Sequence, residues 1–295
     1  MTTMIDLSRL PPPEIIEVLD FEEILAGAKR MLIALFPEVA DELALESAMT
    51  TKILQVFSIR EMMMRGRVND GARGVLLAAA TGTTLDHIAA RWNVQRFVLV
   101  EADPDADPPT EEVRESDAAL RHRTLLALDG FSTAGSREAY LYHALSAHRD
   151  VLDASVEQPV PGTVRVALLS RAGNGTAAPD LIAAVHAALN GERVRPVSDT
   201  VSVVPAEIVP FTVEAGLVVA AGPDPETVRG MAAEAVAAYA AEVHRMGRSV
   251  RVSAIFAALH QPGVERVILT APAADIELTV GQAPWCDAIV VEIEP

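Results

Sequence analysis

Val209-Pro210-Phe211-Thr212-Val213-Glu214-Ala215-Gly216-Leu217-Val218-Val219 carries the clearest structural signal in this 295-residue chain. Val209, Phe211, Val213, Ala215, Leu217 and Val219 fall at every second position. That period places them on one face of a half-buried β-strand. Asp224-Pro225 follows, a capping residue and a first-turn proline, and predicts a helix over 226–246. Val228, Met231, Ala235, Tyr239, Val243 and Met246 form its predicted apolar stripe, and His244, Arg245 and Gly247 supply the charge and glycine of a C-terminus. Downstream, Ser253 is the predicted cap of a short helix to His260, and Val264–Leu269 and Ala288–Ile293 read as closing strands.

The preceding segment repeats this mixture. Leu152, Ala154 and Val156 alternate with Asp153, Ser155 and Glu157, and Val164, Val166 and Leu168 alternate with Arg165 and Ala167. Gly173-Asn174-Gly175 predicts a turn, a helix with Ile182, Val185 and Leu189 inward runs to Asn190-Gly191, and Val201 and Val203 begin another strand. The fold class is therefore α+β and multidomain: an N-terminal helical region followed by two small α+β modules, 151–206 and 207–295.

Upstream, the pattern is helical. Residues 1–20 hold Pro11-Pro12-Pro13 and read as an extended arm, either a tether on its own domain or a strap onto a neighbouring subunit. Residues 21–100 form the predicted helical domain, with helices at 21–36 and 41–65 split by Pro37. Leu45, Met49, Ile53, Val56, Ile59 and Met63 recur at three and four and share one face. Met62-Met63-Met64 cannot share a face, so at least one points away from the local core. Either this helix lies buried between two layers, or the methionines form an interface, for which flexible thioethers are suited. Met62, Met63, Met64, Pro11, Pro12 and Pro13 are the candidate subunit-interface residues. Gly82 is a predicted helix terminator, with Thr83 and Asp86 as a short capping box for the next helix. Residues 101–118 combine eight acids, from Glu101 to Asp117, with Pro104, Pro108 and Pro109, and read as an extended, solvated linker. A helical hairpin over 119–150 follows, with Ser116 and Ser136 as caps.

The totals exclude several classes. With 41 acidic and 24 basic residues, the formal net charge is −17, which opposes nucleic acid and anionic membranes. Arg65, Arg67 and Arg73 are the nearest thing to a basic patch, and Glu61 and Asp70 dilute it. A single cysteine, Cys286, excludes an intrachain disulfide and a four-cysteine zinc site, and fits folding in a reducing cytoplasm. No signal peptide and no membrane-spanning run is evident. His143 and His148 are five apart and turn to different helix faces, and the chain has no H-E-x-x-H, G-x-S-x-G, G-x-x-x-x-G-K or G-x-G-x-x-G. The acidic segment lacks the EF-hand order of ligands. The expectation is a non-enzyme with no cofactor and no metal.

Strings spread along the whole chain resemble the baseplate assembly protein J family of contractile-tailed phages. Ile5-Asp6-Leu7-Ser8-Arg9-Leu10-Pro11 and Glu17-Val18-Leu19-Asp20-Phe21 are similar to its opening. Gly82 to Ile88 with Val94 and Arg96, then Glu115-Ser116-Asp117 and Ser132-Thr133-Ala134-Gly135, resemble its turn and mid-chain loop. Arg195-Pro196-Val197-Ser198-Asp199 and Glu207-Ile208-Val209-Pro210-Phe211 resemble its strand pair. The longest match runs from His244-Arg245-Met246-Gly247-Arg248 to Ala257-Ala258-Leu259-His260, and Gly263 to Val267 and Pro272 to Ile276 resemble its closing segment. No one motif is specific; the collinear set is.

The resemblance implies a structural wedge component of a contractile tail, joining wedges into a ring around the hub and taking part in assembly and contraction triggering. It implies as partners the chain's own copies, an I-like wedge protein, a sheath-initiating wedge protein, tail fibres and the hub. It places the protein in the virion tail baseplate, after synthesis in the host cytoplasm. The alternatives are the equivalent protein of a phage-like bacteriocin or gene transfer agent, and a tail-associated cell-wall hydrolase.

Overall fold

The structure, a computed structural model, describes residues 7–11, 13–132, 135–192, 194–222 and 224–294. Of the positions singled out above, Ile5, Asp6, Pro12, Thr133 and Ala134 lie outside the described residues. The chain forms two compact units, Met1–Arg96 with Ser116–Arg121, and Phe97–Glu115 with His122–Pro295.

The first unit is helical. Helix α1 (Phe21–Leu35) starts at Asp20, whose carboxylate accepts the Glu22 and Glu23 amides. After a 3-10 turn at Pro37–Val39 and a short α2 (Ala40–Leu43), the long α3 spans Met49–Gly74. The second predicted helix therefore starts at 49 rather than 41, because the 45–48 turn breaks it early, and runs past 65 despite Gly66, Asn69, Asp70 and Gly71, a stretch where Asn69 is tied by hydrogen bonds to Glu17. Helix α4 (Gly82–Ala90) buries Leu85 and Ala89 as expected. Its N-terminus differs from the predicted capping box. The Gly82 amide donates to the Asp117 carboxylate at 3.1 Å, and Asp86 instead pairs with Arg96 at 2.7 Å. A carboxylate from another element serves the helix dipole as well as a local one would.

In the second unit, residues 101–115 of the predicted 101–118 linker depart from the open connector. β1 (Val98–Val100) pairs antiparallel with β2 (Val113–Arg114), and Asp103 bridges Thr110, so much of the acidic segment is a hairpin. Helix α5 (Asp117–Gly130) follows, its residues to Arg121 belonging to the first unit and the rest to the second, and α6 (Arg137–Ala147) is capped by Ser136, which accepts the Ala139 amide at 3.1 Å.

Three strands then form one sheet: β3 (Val151–Glu157) antiparallel to β4 (Thr163–Ser170), and β5 (Thr200–Pro205) parallel to β4 across helix α7 (Pro179–Leu189). Tyr140, Val166, Leu168, Val185 and Leu189 are its closed core. The second sheet places β6 (Glu207–Val219) between β7 (Val264–Ala271), antiparallel, and β8 (Gln282–Ile293), parallel. Helices α8 (Pro225–Val243) and α9 (Val252–Leu259) pack with it. Phe211, Val213, Ala215 and Leu217 are buried on one face of β6, the face read from their alternation. Each fully buried aliphatic side chain contributes roughly 1.5–3 kcal/mol.

Three local readings need correction. The buried stripe of α8 is Val228, Ala232, Val236 and Val243, whereas Met231 is exposed. With alanine on every side, the helix offered no contrast by which to phase it. Ser253 does not cap α9; the Asp275 carboxylate accepts the Val252 amide at 2.8 Å instead. In β3 a register shift between Val151 and Asp153 sends Val151 into the main core and Leu152 toward Leu169, Ala206 and Ala283.

Candidate assembly surfaces

Helix α3 is amphipathic in the inverse sense. Its buried residues are Thr51, Ser58 and Asn69, which share a face at helical spacing. On the other side Met49, Ile53, Val56, Phe57, Met63, Met64 and Val68 are all exposed, Met49 and Met64 to 70%. Of the predicted apolar face, Met49, Ile53, Val56, Ile59 and Met63 do share the outward side of α3, whereas Leu45 falls in the turn before the helix, and among the described residues of this unit no second layer covers that side. Met62 is half-buried while Met63 and Met64 face outward, so the triplet does split between directions. Val18 and Met31, which line a hollow with Glu61 and Arg65 of α3, are exposed as well. Sequence reading found this stripe by its spacing and missed its direction, because an apolar period does not say which layer it faces.

The N-terminal arm runs beside α3. The Glu17 amide donates to Asn69 Oδ1 at 3.1 Å, Asn69 Nδ2 donates to the Glu17 carbonyl at 2.8 Å, and Arg65 pairs with the Glu17 carboxylate at 2.9 Å. This fixes the arm as a tether from Glu17 onward. Pro11 is exposed and Pro13 half-buried. Both line an apolar groove of about 470 Å³ with Leu7, Leu10, Leu76 and Leu77. Pro12 falls outside the described residues.

The base of the acidic hairpin is clamped from within the second unit. Glu115 and Arg123 form a two-pronged pair, Nε to Oε1 2.8 Å and Nη2 to Oε2 2.5 Å, and the Arg123 guanidinium lies 4.2 Å from the Phe97 ring centroid. Arg171 sits in the same charged neighbourhood. Burial pushes its guanidinium down, with Arg245 and Arg123 adding to that and Glu115 and Asp150 opposing it.

A second constellation joins the two sheets. Asp153 on β3 accepts the Met246 amide at 3.0 Å. His244 is buried and donates from Nδ1 to the Pro284 carbonyl at 2.6 Å, edge-on to Trp285. Gly247 donates to the Gln282 carbonyl at 2.7 Å. Gly175, at φ +96°, has no room for a Cβ: it would stand 2.9 Å from the His244 ring and 2.5 Å from Leu169. The segment His244–Gly247 is thus the seam of this unit.

The remaining titratable groups sit apart. His122 and His143 are pushed down chiefly by burial; His143 Nε2 lies 3.1 Å from the Gly130 carbonyl. Burial pushes the Cys286 thiol up, away from the reactive thiolate. Among the described residues no three His, Cys, Asp or Glu side chains are arranged to hold a metal, and no helix is long and apolar enough to cross a membrane.

Family models match the chain in order: the baseplate J-like N-terminal domain over residues 46–103, the central domain over 132–205 and the C-terminal domain over 210–292. Baseplate protein J of Escherichia phage P2 is 48% identical over 288 residues, spanning 96% of this chain and 95% of that protein. The chain belongs to the baseplate J-like family. Among solved structures, the anti-feeding prophage baseplate matches with a TM-score of 0.40 and 12% identity, over 61% of this chain and 43% of that one. The matched central domain of this baseplate J-like chain ends at the last residue of β5, and the matched C-terminal domain takes in most of β6 to β8. The seam between the sheets therefore joins two recognised parts of the family. Its location is the tail baseplate, as a structural component.

Proposed function

We propose that this protein is a wedge component of a contractile tail baseplate, joining neighbouring wedges into a ring around the hub and taking part in assembly and in the triggering of contraction. The observation that carries the reading is the end-to-end match to a phage baseplate protein J, with all three family segments in order. The surfaces support it. A free monomer rarely exposes a long contiguous apolar stripe, and α3 presents one over most of its length. The buried seam of the second unit supplies a stiff body through which a displacement can pass.

The role is structural and non-enzymatic. The proposed partners are further copies of the chain, an I-like wedge protein, a sheath-initiating wedge protein, tail fibres and the hub. The Met62–Met64 and Pro11–Pro13 segments belong to the proposed contact surface. Co-expression with the adjacent tail genes, followed by size exclusion and mass determination, tests the assignment. A stable complex with the I-like protein is expected. A lone monomer that ignores every tail protein overturns it.

A further inference from the structure

The outward face of α3 is not purely apolar. Lys52, Arg60 and Arg67 lie on the same side as Val56, Met63 and Met64, at spacings of three and four, and all three are exposed. Among the described residues, none of these three cations has a carboxylate partner. Of the acids of α3, Glu61 lies off this line and is paired with Arg65, and Asp70, three residues beyond Arg67, is paired with Arg73. So in a chain of net charge −17, this stripe combines exposed aliphatic, methionine and phenylalanine side chains with three cations that make no ion pair among the described residues.

That combination selects the occupant. A second copy of α3 is disfavoured in either direction. A parallel pairing sets each cation against itself. An antiparallel pairing centred near Arg60 sets Arg60 against Arg60 and Lys52 against Arg67. Nucleic acid is also a poor match, because the apolar residues between the cations would face phosphate. An amphipathic helix with an apolar stripe flanked by Glu and Asp satisfies both features. The stripe from Met49 to Val68 spans about 30 Å at 1.5 Å per residue, the length of a partner helix of about 20 residues.

We infer that the outward face of α3 is the docking site for an acidic amphipathic helix of a different protein, anchored on Val56, Phe57, Met63 and Met64 and selected by Lys52, Arg60 and Arg67. The inference rests on the assembly reading above only in requiring that such a partner exist.

The test uses the full chain and two synthetic helical peptides with the same Leu/Ile stripe, one flanked by Glu and the other by Lys. Fluorescence anisotropy at low salt should show the Glu peptide binding at least tenfold more tightly, with the gap narrowing as salt rises. The double variant Arg60→Glu/Arg67→Glu should reverse the preference. Val56→Asp/Met63→Asp should abolish binding of both peptides and leave the melting curve unchanged, since both side chains are already solvated. Equal affinities, binding of neither peptide, displacement by a short DNA duplex, or a concentration-dependent dimer dissolved by Val56→Asp would each overturn the inference. The two readings fail separately. A tail complex that forms unaltered with Val56→Asp/Met63→Asp removes the docking site and spares the wedge role. A peptide preference without any tail complex does the reverse.

Discussion

Glu115 and Arg123 face each other as a two-pronged ion pair with side chains only 1% and 6% exposed. Glu115 also receives the Phe97 amide at 3.2 Å, and its own amide donates to the Phe97 carbonyl at 2.9 Å. Helix α5 and the hairpin base are held together by one fully used carboxylate. Removing a single partner leaves a buried charge with nothing to answer it, and the cost of that exceeds the worth of the pair.

Arg123→Leu or Glu115→Gln should therefore lower unfolding stability by about 3–5 kcal/mol, seen as a shifted urea midpoint. The double replacement Glu115→Leu/Arg123→Met should recover much of that loss. If each single variant stays within about 0.5 kcal/mol of the parent, as an ordinary surface change does, the pair is not a clamp.

At the seam, Gly175→Ala forces a side chain into a left-handed backbone position and against His244. A loss of about 1–3 kcal/mol from the backbone alone is expected, with the steric clash added to it. His244→Ala in the same chain should relieve the part of the clash that the imidazole makes, but neither the closer approach of Leu169 nor the backbone part. A double-mutant cycle then gives a coupling of at least about 0.5 kcal/mol. Strict additivity would mean the two residues do not meet.

His122 and His143 are both held below the ordinary imidazole range, first by burial; for His122 Asp153 opposes this and Arg245 reinforces it, while for His143 the Gly130 carbonyl opposes it. With folded values lowered, the unfolded chain binds more protons once the pH falls below about 6.5. Stability from this source is complete above that point and declines as the pH drops toward the folded values. Urea midpoints at pH 7.5 and pH 5.5 should differ more for the parent than for His122→Gln/His143→Gln. An identical pH response in both chains would rule out the histidines as its source.

Thr51 and Ser58 turn hydroxyls inward from α3, and neither hydroxyl finds a partner among the described residues. Thr51→Val keeps the shape and removes a buried polar atom, so thermal stability should rise, by up to about 1–3 kcal/mol of relieved desolvation. A fall in melting temperature would show that the hydroxyl is bonded after all.

What the residues disclosed on their own follows from these contacts. The alternation in 209–219 was decisive because one face of β6 is fully covered and the period of a strand is two. The caps at Ser136 and Asp224 were legible because each serves amides within three residues. Long-range capping was not: Asp117 serving Gly82 and Asp275 serving Val252 are choices the chain makes only once folded. The same holds for Asp153 and Met246, 93 residues apart in sequence. For the assembly surface, spacing revealed an apolar stripe on α3 but not its outward direction, and of the three cations within it only Arg67 figures in the diluted Arg65, Arg67 and Arg73 cluster.

The pairing of β6 with β8 carries a consequence in time. Glu207 sits opposite Gln282 and Leu217 opposite Ile293, so this sheet closes only across a long stretch of intervening chain. Ladders of that kind assemble slowly, whereas α1 and α3 depend on neighbours close in sequence and form early. A newborn chain therefore displays the greasy side of α3 while its last sheet is still incomplete, a state in which exposed apolar surface invites aggregation. Synthesis alongside a partner helix of the inferred kind would shorten that interval, so coupled expression should raise yield as well as promote assembly.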